Sequence, residues 1–185
     1  MGNTDLKDFI KIYNSTINPT FAESIVNRVN KEDWKEHLWY SSATNTAQNS
    51  SKGKDCYINN LNPKSKIQLF QTIKSNVDDY KKTFGFSSTT LSDPRINRYE
   101  VGQNMDYHYD HIHSLFDGQN KGIPIFSIVI ILNNDFNGGN LRFWKNYAPD
   151  LASGDMIIWP SNFLYKHEVT PVESGVRYSV VIWGW

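Results

Sequence analysis

The run NMDYHYDHIHS, residues 104–114, crowds three histidines and two aspartates together, and inside it His108 and Asp110 stand two residues apart. On an extended strand, side chains two apart share a face, so an imidazole and a carboxylate project together while Tyr107 and Tyr109 point the other way. A His-x-Asp pair recurs by chance, and it becomes a metal site only with a third ligand from elsewhere. His167 in KHEVTP is the candidate: its segment follows the apolar DMIIWP and precedes a further strand beyond the VESG turn, so it can reach back across a sheet. His37, the last residue of the charged KEDWKEH, reads as a surface residue at a helical end. His111 and His113, where HIHSLFDGQNKG dissolves into a loop, read as solvated, as does Asp106.

Two neutral imidazoles and one carboxylate on one face of an octahedron leave three adjacent positions open, the arrangement of non-haem Fe(II) oxygen chemistry. The same ligands also suit zinc with a bound water, which is hydrolytic chemistry. Arg177 bears on the choice. It lies ten residues after His167 on VRYSVVIWGW, an apolar and aromatic segment where an arginine is costly unless it meets an anion. A 2-oxoacid chelating the metal needs a fixed cation for its distal carboxylate, and a planar guanidinium suits that through paired hydrogen bonds. Tyr99, on a neighbouring segment, adds a phenolic donor. The alternative for Arg177 is a head that snorkels to an exposed face.

Positioning these groups requires a sheet and something to cover it. NPTFAESIVNRVN and NPKSKIQLFQTIKSNVDDYKKTFG each place Asn at an N-cap and Pro at the first helical position, predicting two helices. In the second, Ile67, Phe70, Ile73, Val77, Tyr80 and Phe84 recur at helical spacing and Gly85 supplies the stop, predicting one apolar face laid on a sheet. Between the helices, SSATNTAQNSSKGKD (residues 41–55) has no large apolar side chain and reads as a mobile loop, either a connector or a lid. From about Arg95 the texture turns to short β segments: INRYEV, MDYHYDH, FSIVIIL, LRFW, DMIIWP, KHEVTP and VRYSVVIWGW. These predict a sandwich, jelly roll or barrel.

Bulk properties narrow the function classes. At 185 residues the chain suits a single domain over 1–185, with a helical part to about residue 90 and a β core from about 91. Lys+Arg and Asp+Glu both number 19, so no basic surplus draws a nucleic acid or an acidic membrane. The apolar run IPIFSIVIIL is about half of the roughly 20 residues that a membrane span needs, and the N-terminus lacks a signal-peptide run. The lone Cys56 excludes an internal disulfide and a zinc–thiolate cluster, so an intracellular, cytoplasmic, soluble protein is expected.

Taken together, these motifs resemble the 2-oxoglutarate and Fe(II)-dependent dioxygenases, in particular the prolyl 4-hydroxylase-like branch. RYEVGQNMDYHYD is similar to that branch's tyrosine, Gly-Gln and His-x-Asp segment, IILNNDFNGGNLRFW to its Leu-Asn strand and Gly-Gly turn, and the block from Ser153 to Trp185 to its closing strands. The resemblance implies a double-stranded β-helix (jelly roll), mainly β, with two or more supporting N-terminal helices. It implies His108, Asp110 and His167 as iron ligands, Arg177 with Tyr99 at the distal carboxylate of 2-oxoglutarate, and Leu141 as the aliphatic wall beside it. Trp183 is placed on the substrate side, with a core aromatic as its alternative. Met105 stands where the family often carries a tyrosine near the substrate, and Ile131 where oxygen-sensing members carry another. The activity implied is hydroxylation of a protein or peptide residue, prolyl 4-hydroxylation foremost, with Fe(II), 2-oxoglutarate and O2, possible ascorbate support, and release of succinate and CO2. Other readings are hydroxylation of a non-prolyl side chain or small molecule, a zinc hydrolase, or a noncatalytic metal-binding jelly roll.

Overall fold

Alternation along each strand divides this protein into an outer face that meets two helices and an inner face that meets a cavity. The computed structural model describes residues 4–31, 34–36, 38–41, 46–49, 55–58, 62–88, 90–110 and 124–185. After a 3-10 turn at Leu6–Phe9, the elements are β1 (Lys11–Tyr13), α1 (Pro19–Val29), β2 (Lys35–Glu36), β3 (Leu38–Ser41), β4 (Thr46–Asn49), β5 (Asp55–Ile58) and α2 (Pro63–Phe84). The second half supplies β6 (Arg95–Tyr99), β7 (Met105–His108), β8 (Phe126–Ile131), β9 (Phe136–Gly138), β10 (Leu141–Phe143), β11 (Met156–Pro160), β12 (His167–Val169), β13 (Val172–Gly175) and β14 (Arg177–Gly184).

A seven-stranded antiparallel sheet runs β1-β11-β8-β14-β6-β5-β2, and a three-stranded sheet β10-β12-β7 carries the two candidate histidines. With the β13-β9 pair, these strands form the expected jelly roll of the double-stranded β-helix type. Both helices form as the sequence predicts. Asn18 Oδ1 accepts from the Phe21 N–H at 2.8 Å and Asn62 Oδ1 from the Ser65 N–H at 2.9 Å, each satisfying a donor that the first helical turn leaves open. Gly85 ends α2 at φ 69°, a left-handed conformation that glycine adopts without a Cβ penalty.

The apolar face of α2 differs by one position from the sequence reading. Leu69, Ile73, Val77 and Tyr80 are buried, whereas Ile67 is 58% exposed and Phe70 and Phe84 are only partly covered. Three- and four-residue steps fit Leu69 as well as Ile67, and only the sheet's position decides between them. The buried residues of α1 and α2 pack on Ile96 of β6, Phe126, Ile128 and Ile130 of β8, Met156 and Ile158 of β11, and Val180 and Ile182 of β14. Because these strands are covered on both faces, they read in sequence as nearly continuous apolar runs.

Two expectations for the first half are corrected. That half is not only helical, since β1 pairs with β11 and β5 pairs with β6, so both extend the large sheet. Nor is 41–55 a single loop: Thr46–Asn49 pairs antiparallel with Leu38–Ser41, and Asp55 begins the strand whose register sets it opposite Tyr99. Backbone pairing draws on N–H and C=O groups that every non-proline residue carries, so a composition poor in apolar side chains does not exclude it. Lys35–Glu36 likewise pairs with β5 and is not a helical end. His37, residues 42–45 and 50–54, with the lid reading attached to them, and His111 and His113 lie outside the described residues. Among the described residues, no helix is long and apolar enough to cross a membrane.

Candidate active site

His108 ends β7 and His167 opens β12, and the antiparallel register sets them directly opposite one another with ring centroids 4.4 Å apart. Asp110 lies just beyond β7, so the strand and its exit deliver the pair that alternation predicted. One ligand atom from each of the three residues lies within 4.8 Å of the others. Asp110 Oδ1 is 3.5 Å from His108 Nε2 and 3.9 Å from His167 Nε2.

Hydrogen bonds behind these residues set which atoms face inward. His108 Nδ1 lies 2.7 Å from the Asp106 carbonyl and His167 Nδ1 lies 3.0 Å from the Tyr165 carbonyl. A carbonyl only accepts, so each Nδ1 carries a proton and each Nε2 is the atom turned toward the other ligands, as metal-binding histidines are commonly held. Asp110 Oδ2 accepts from the Ser127 hydroxyl at 2.5 Å, and Ser127 in turn contacts the Ser161 hydroxyl. Burial pushes the Asp110 carboxyl up, but His167, His108 and the Ser127 hydroxyl outweigh it and hold the group well below the usual carboxylate range. Burial, then the neighbouring His108, pulls His167 down to about 4 against the opposing pull of Asp110, so at neutral pH its imidazole is uncharged. Trp159 and Phe143 pack on the His167 ring at centroid distances of 5.0 and 5.6 Å. Two imidazole nitrogens and one carboxylate oxygen form the donor set that suits a non-haem Fe(II) centre.

Arg177 is 1% exposed, so it does not snorkel. Its Nη1 donates to Ser179 Oγ at 2.8 Å and its guanidinium lies 5.5 Å from the centre of the Tyr99 ring, the residue opposite it across β6 and β14. Its Nε is buried without a hydrogen-bond partner, and among the described residues no carboxylate pairs with it. Burial pulls its pKa down, offset in part by Tyr99. The stem has room because residue 139 is glycine: at φ +60° a Cβ there would sit 2.8 Å from Arg177 Cδ. A buried cation with an unfilled donor can receive an anion.

The triad and Arg177 line one pocket. Tyr99, Leu141, Met105 and Trp183 line it as well, so every candidate site residue named from sequence comes together there. Residues that sequence reading passed over also belong to it. Arg95 lines the pocket with its guanidinium 4.7 Å from the centre of the Trp183 ring, and Asn97 and Ser179 line it between the two arginines. Ser127 and Ser161 stand behind Asp110. A signal for some of these existed: Ser127 and Ser179 are lone polar positions inside FSIVIIL and RYSVVIWGW, on the face that alternation assigns to the cavity.

The model of the 2OG-Fe(II) oxygenase superfamily matches residues 94–185. A PKHD-type hydroxylase of Shewanella oneidensis is 35% identical over 94 residues, 49% of this chain and 41% of that protein. One from Paraburkholderia xenovorans is 33% identical over 95 residues, with the same coverage. The chain thus spans less than half the length of the curated relatives it matches. Among solved structures, a Pseudomonas putida prolyl-4-hydroxylase aligns with a TM-score of 0.68 at 15% identity, covering 97% of this chain and 95% of that one. A Trichoplax adhaerens prolyl hydroxylase in complex with a hypoxia inducible factor peptide fragment aligns at 0.68 and 17% identity, covering 95% and 83%. At such identities the likeness is one of fold. Residues 94–185, the half of the chain that carries the triad and Arg177, belong to the 2OG-Fe(II) oxygenase superfamily.

Proposed function

We propose that the protein is an Fe(II)- and 2-oxoglutarate-dependent dioxygenase that hydroxylates a protein or peptide residue, with prolyl 4-hydroxylation as its reaction. The observation that carries this reading is the pairing of an open two-histidine, one-carboxylate triad with a buried arginine whose Nε lacks a partner in the same pocket. A zinc hydrolase gives such an arginine no task. Peptide prolyl substrates draw support from the activities named for the solved structures of like fold.

In this reading His108, Asp110 and His167 hold the iron, and the carbonyls of Asp106 and Tyr165 keep both imidazoles turned Nε2-inward. Arg177 fixes the distal carboxylate of 2-oxoglutarate with Tyr99 beside it, and Leu141 borders the bound chain. Bound iron would supply the oxidative chemistry, in which one atom of O2 enters the 2-oxoacid as it loses CO2 and becomes succinate and the other enters the substrate as its new hydroxyl. Trp159, Phe143 and Val181 keep the triad's surroundings apolar, and Met105 and Trp183 face the substrate. The test is to incubate the protein with Fe(II), 2-oxoglutarate and a proline-containing peptide library. Succinate should form, and peptides should gain the mass of one oxygen atom on proline. Oxygen gained on another residue would retire the prolyl assignment, and succinate absent in every condition would retire the dioxygenase.

A further inference from the structure

We infer that Ser161 and Ser127 form a directional hydroxyl relay that positions Asp110 to offer a metal a single oxygen, an inference that rests on the triad being the proposed iron site. The direction follows from counting protons. Ser127 has one O–H, and it donates this to Asp110 Oδ2 at 2.5 Å. Ser127 therefore has no proton left for Ser161, so in the contact between the two hydroxyls Ser161 donates. Both serines are buried, Ser127 at 0% and Ser161 at 2% exposure, and solvent does not compete for these bonds. A hydroxyl that accepts a hydrogen bond donates a stronger one, so Ser161 strengthens the bond from Ser127 to the carboxylate.

The relay stands on rigid parts of the fold, whereas Asp110 itself lies outside any strand. Ser127 sits in the centre of the large sheet, opposite Trp159 on one side and Trp183 on the other. Ser161 directly follows β11, with its N–H donating to the Ile125 carbonyl at 3.0 Å. Holding Oδ2 leaves Oδ1 facing the two Nε2 atoms at 3.5 and 3.9 Å. A carboxylate tied at one oxygen occupies one coordination position, whereas a free one can chelate through both and take a second. The positions left open at the triad are those a bidentate 2-oxoacid and O2 require, so Ser127 and Ser161 are positioning residues for that openness.

The test uses anaerobic titration of the metal-free protein with Co(II), followed by calorimetry and by the visible absorption of the ion, which reports its coordination number. Ser127→Ala should weaken Co(II) binding about 10- to 100-fold and shift the spectrum toward a carboxylate bound through two oxygens. Ser161→Ala should weaken binding less, in the same direction. Ser127→Thr, which keeps the hydroxyl, should restore the wild-type spectrum. If the serines only fill space, both alanine variants lower the melting temperature while affinity and spectrum stay as in wild type, and the relay is overturned with the metal site intact. A wild-type protein that takes up no Co(II) would overturn the triad reading and the relay with it.

Discussion

The two faces of the large sheet are made by the same strands and do opposite work. Along β8, Phe126, Ile128 and Ile130 point to the helices while Ser127 and Val129 point to the pocket side. Along β14, Val180 and Ile182 point out while Arg177, Ser179, Val181 and Trp183 point in. The helix side is built mainly of aliphatic and aromatic groups whose contribution is area removed from water. The pocket side interrupts that texture with polar groups, and their value lies in where each atom points. One backbone register thus separates stability from chemistry residue by residue, so neighbours in sequence should fail in different assays.

The sharpest break in that contrast comes from the triad. Asp110→Ala or His167→Ala should abolish Fe(II)-dependent succinate formation while the far-ultraviolet circular dichroism spectrum stays that of wild type. Next in size, Ile128→Ala on the helix side should cost about 2–5 kcal/mol of unfolding free energy, measured by urea titration, and its folded fraction should still bind 2-oxoglutarate normally. A normal urea midpoint in that variant would erase the division between the faces. On the pocket side, Arg177→Met should raise the 2-oxoglutarate concentration needed for half-maximal turnover roughly ten- to a hundredfold, and steady-state kinetics would read it. The smallest effect is expected away from both faces, at the cross-strand pair of Arg142 and Glu168 on the small sheet, 2.9 Å apart and partly exposed. Arg142→Ala should change unfolding free energy by no more than about 1 kcal/mol.

Much of this division was legible in the sequence. His108, Asp110, His167 and Arg177 could be named because strand alternation is local and the closing segments keep a fixed order. The helices announced themselves through Asn-Pro starts and Gly85. What escaped had one of two physical causes. Ser161 and Arg95 matter through partners far along the chain, and no local pattern brings Ser161 to Ser127 or Arg95 to Trp183. Strands β1 and β5 are short and owe their place to hydrogen bonding along β11 and β6, which hydrophobic periodicity does not record. The same blindness to backbone pairing turned Thr46–Asn49 into loop, and a free choice of helical phase put Ile67 in the core in place of Leu69.

The placement of the triad also has a mechanical side. His108 and His167 belong to the small sheet, while Asp110 is tied through Ser127 to the centre of the large one. An ion shared by the three would act as a rivet between the layers, and any binding confined to the folded state adds its free energy to the fold. Loading the site should therefore slow amide hydrogen exchange in β7, β12 and β8 together, although these strands belong to two sheets, and chelation should release them together.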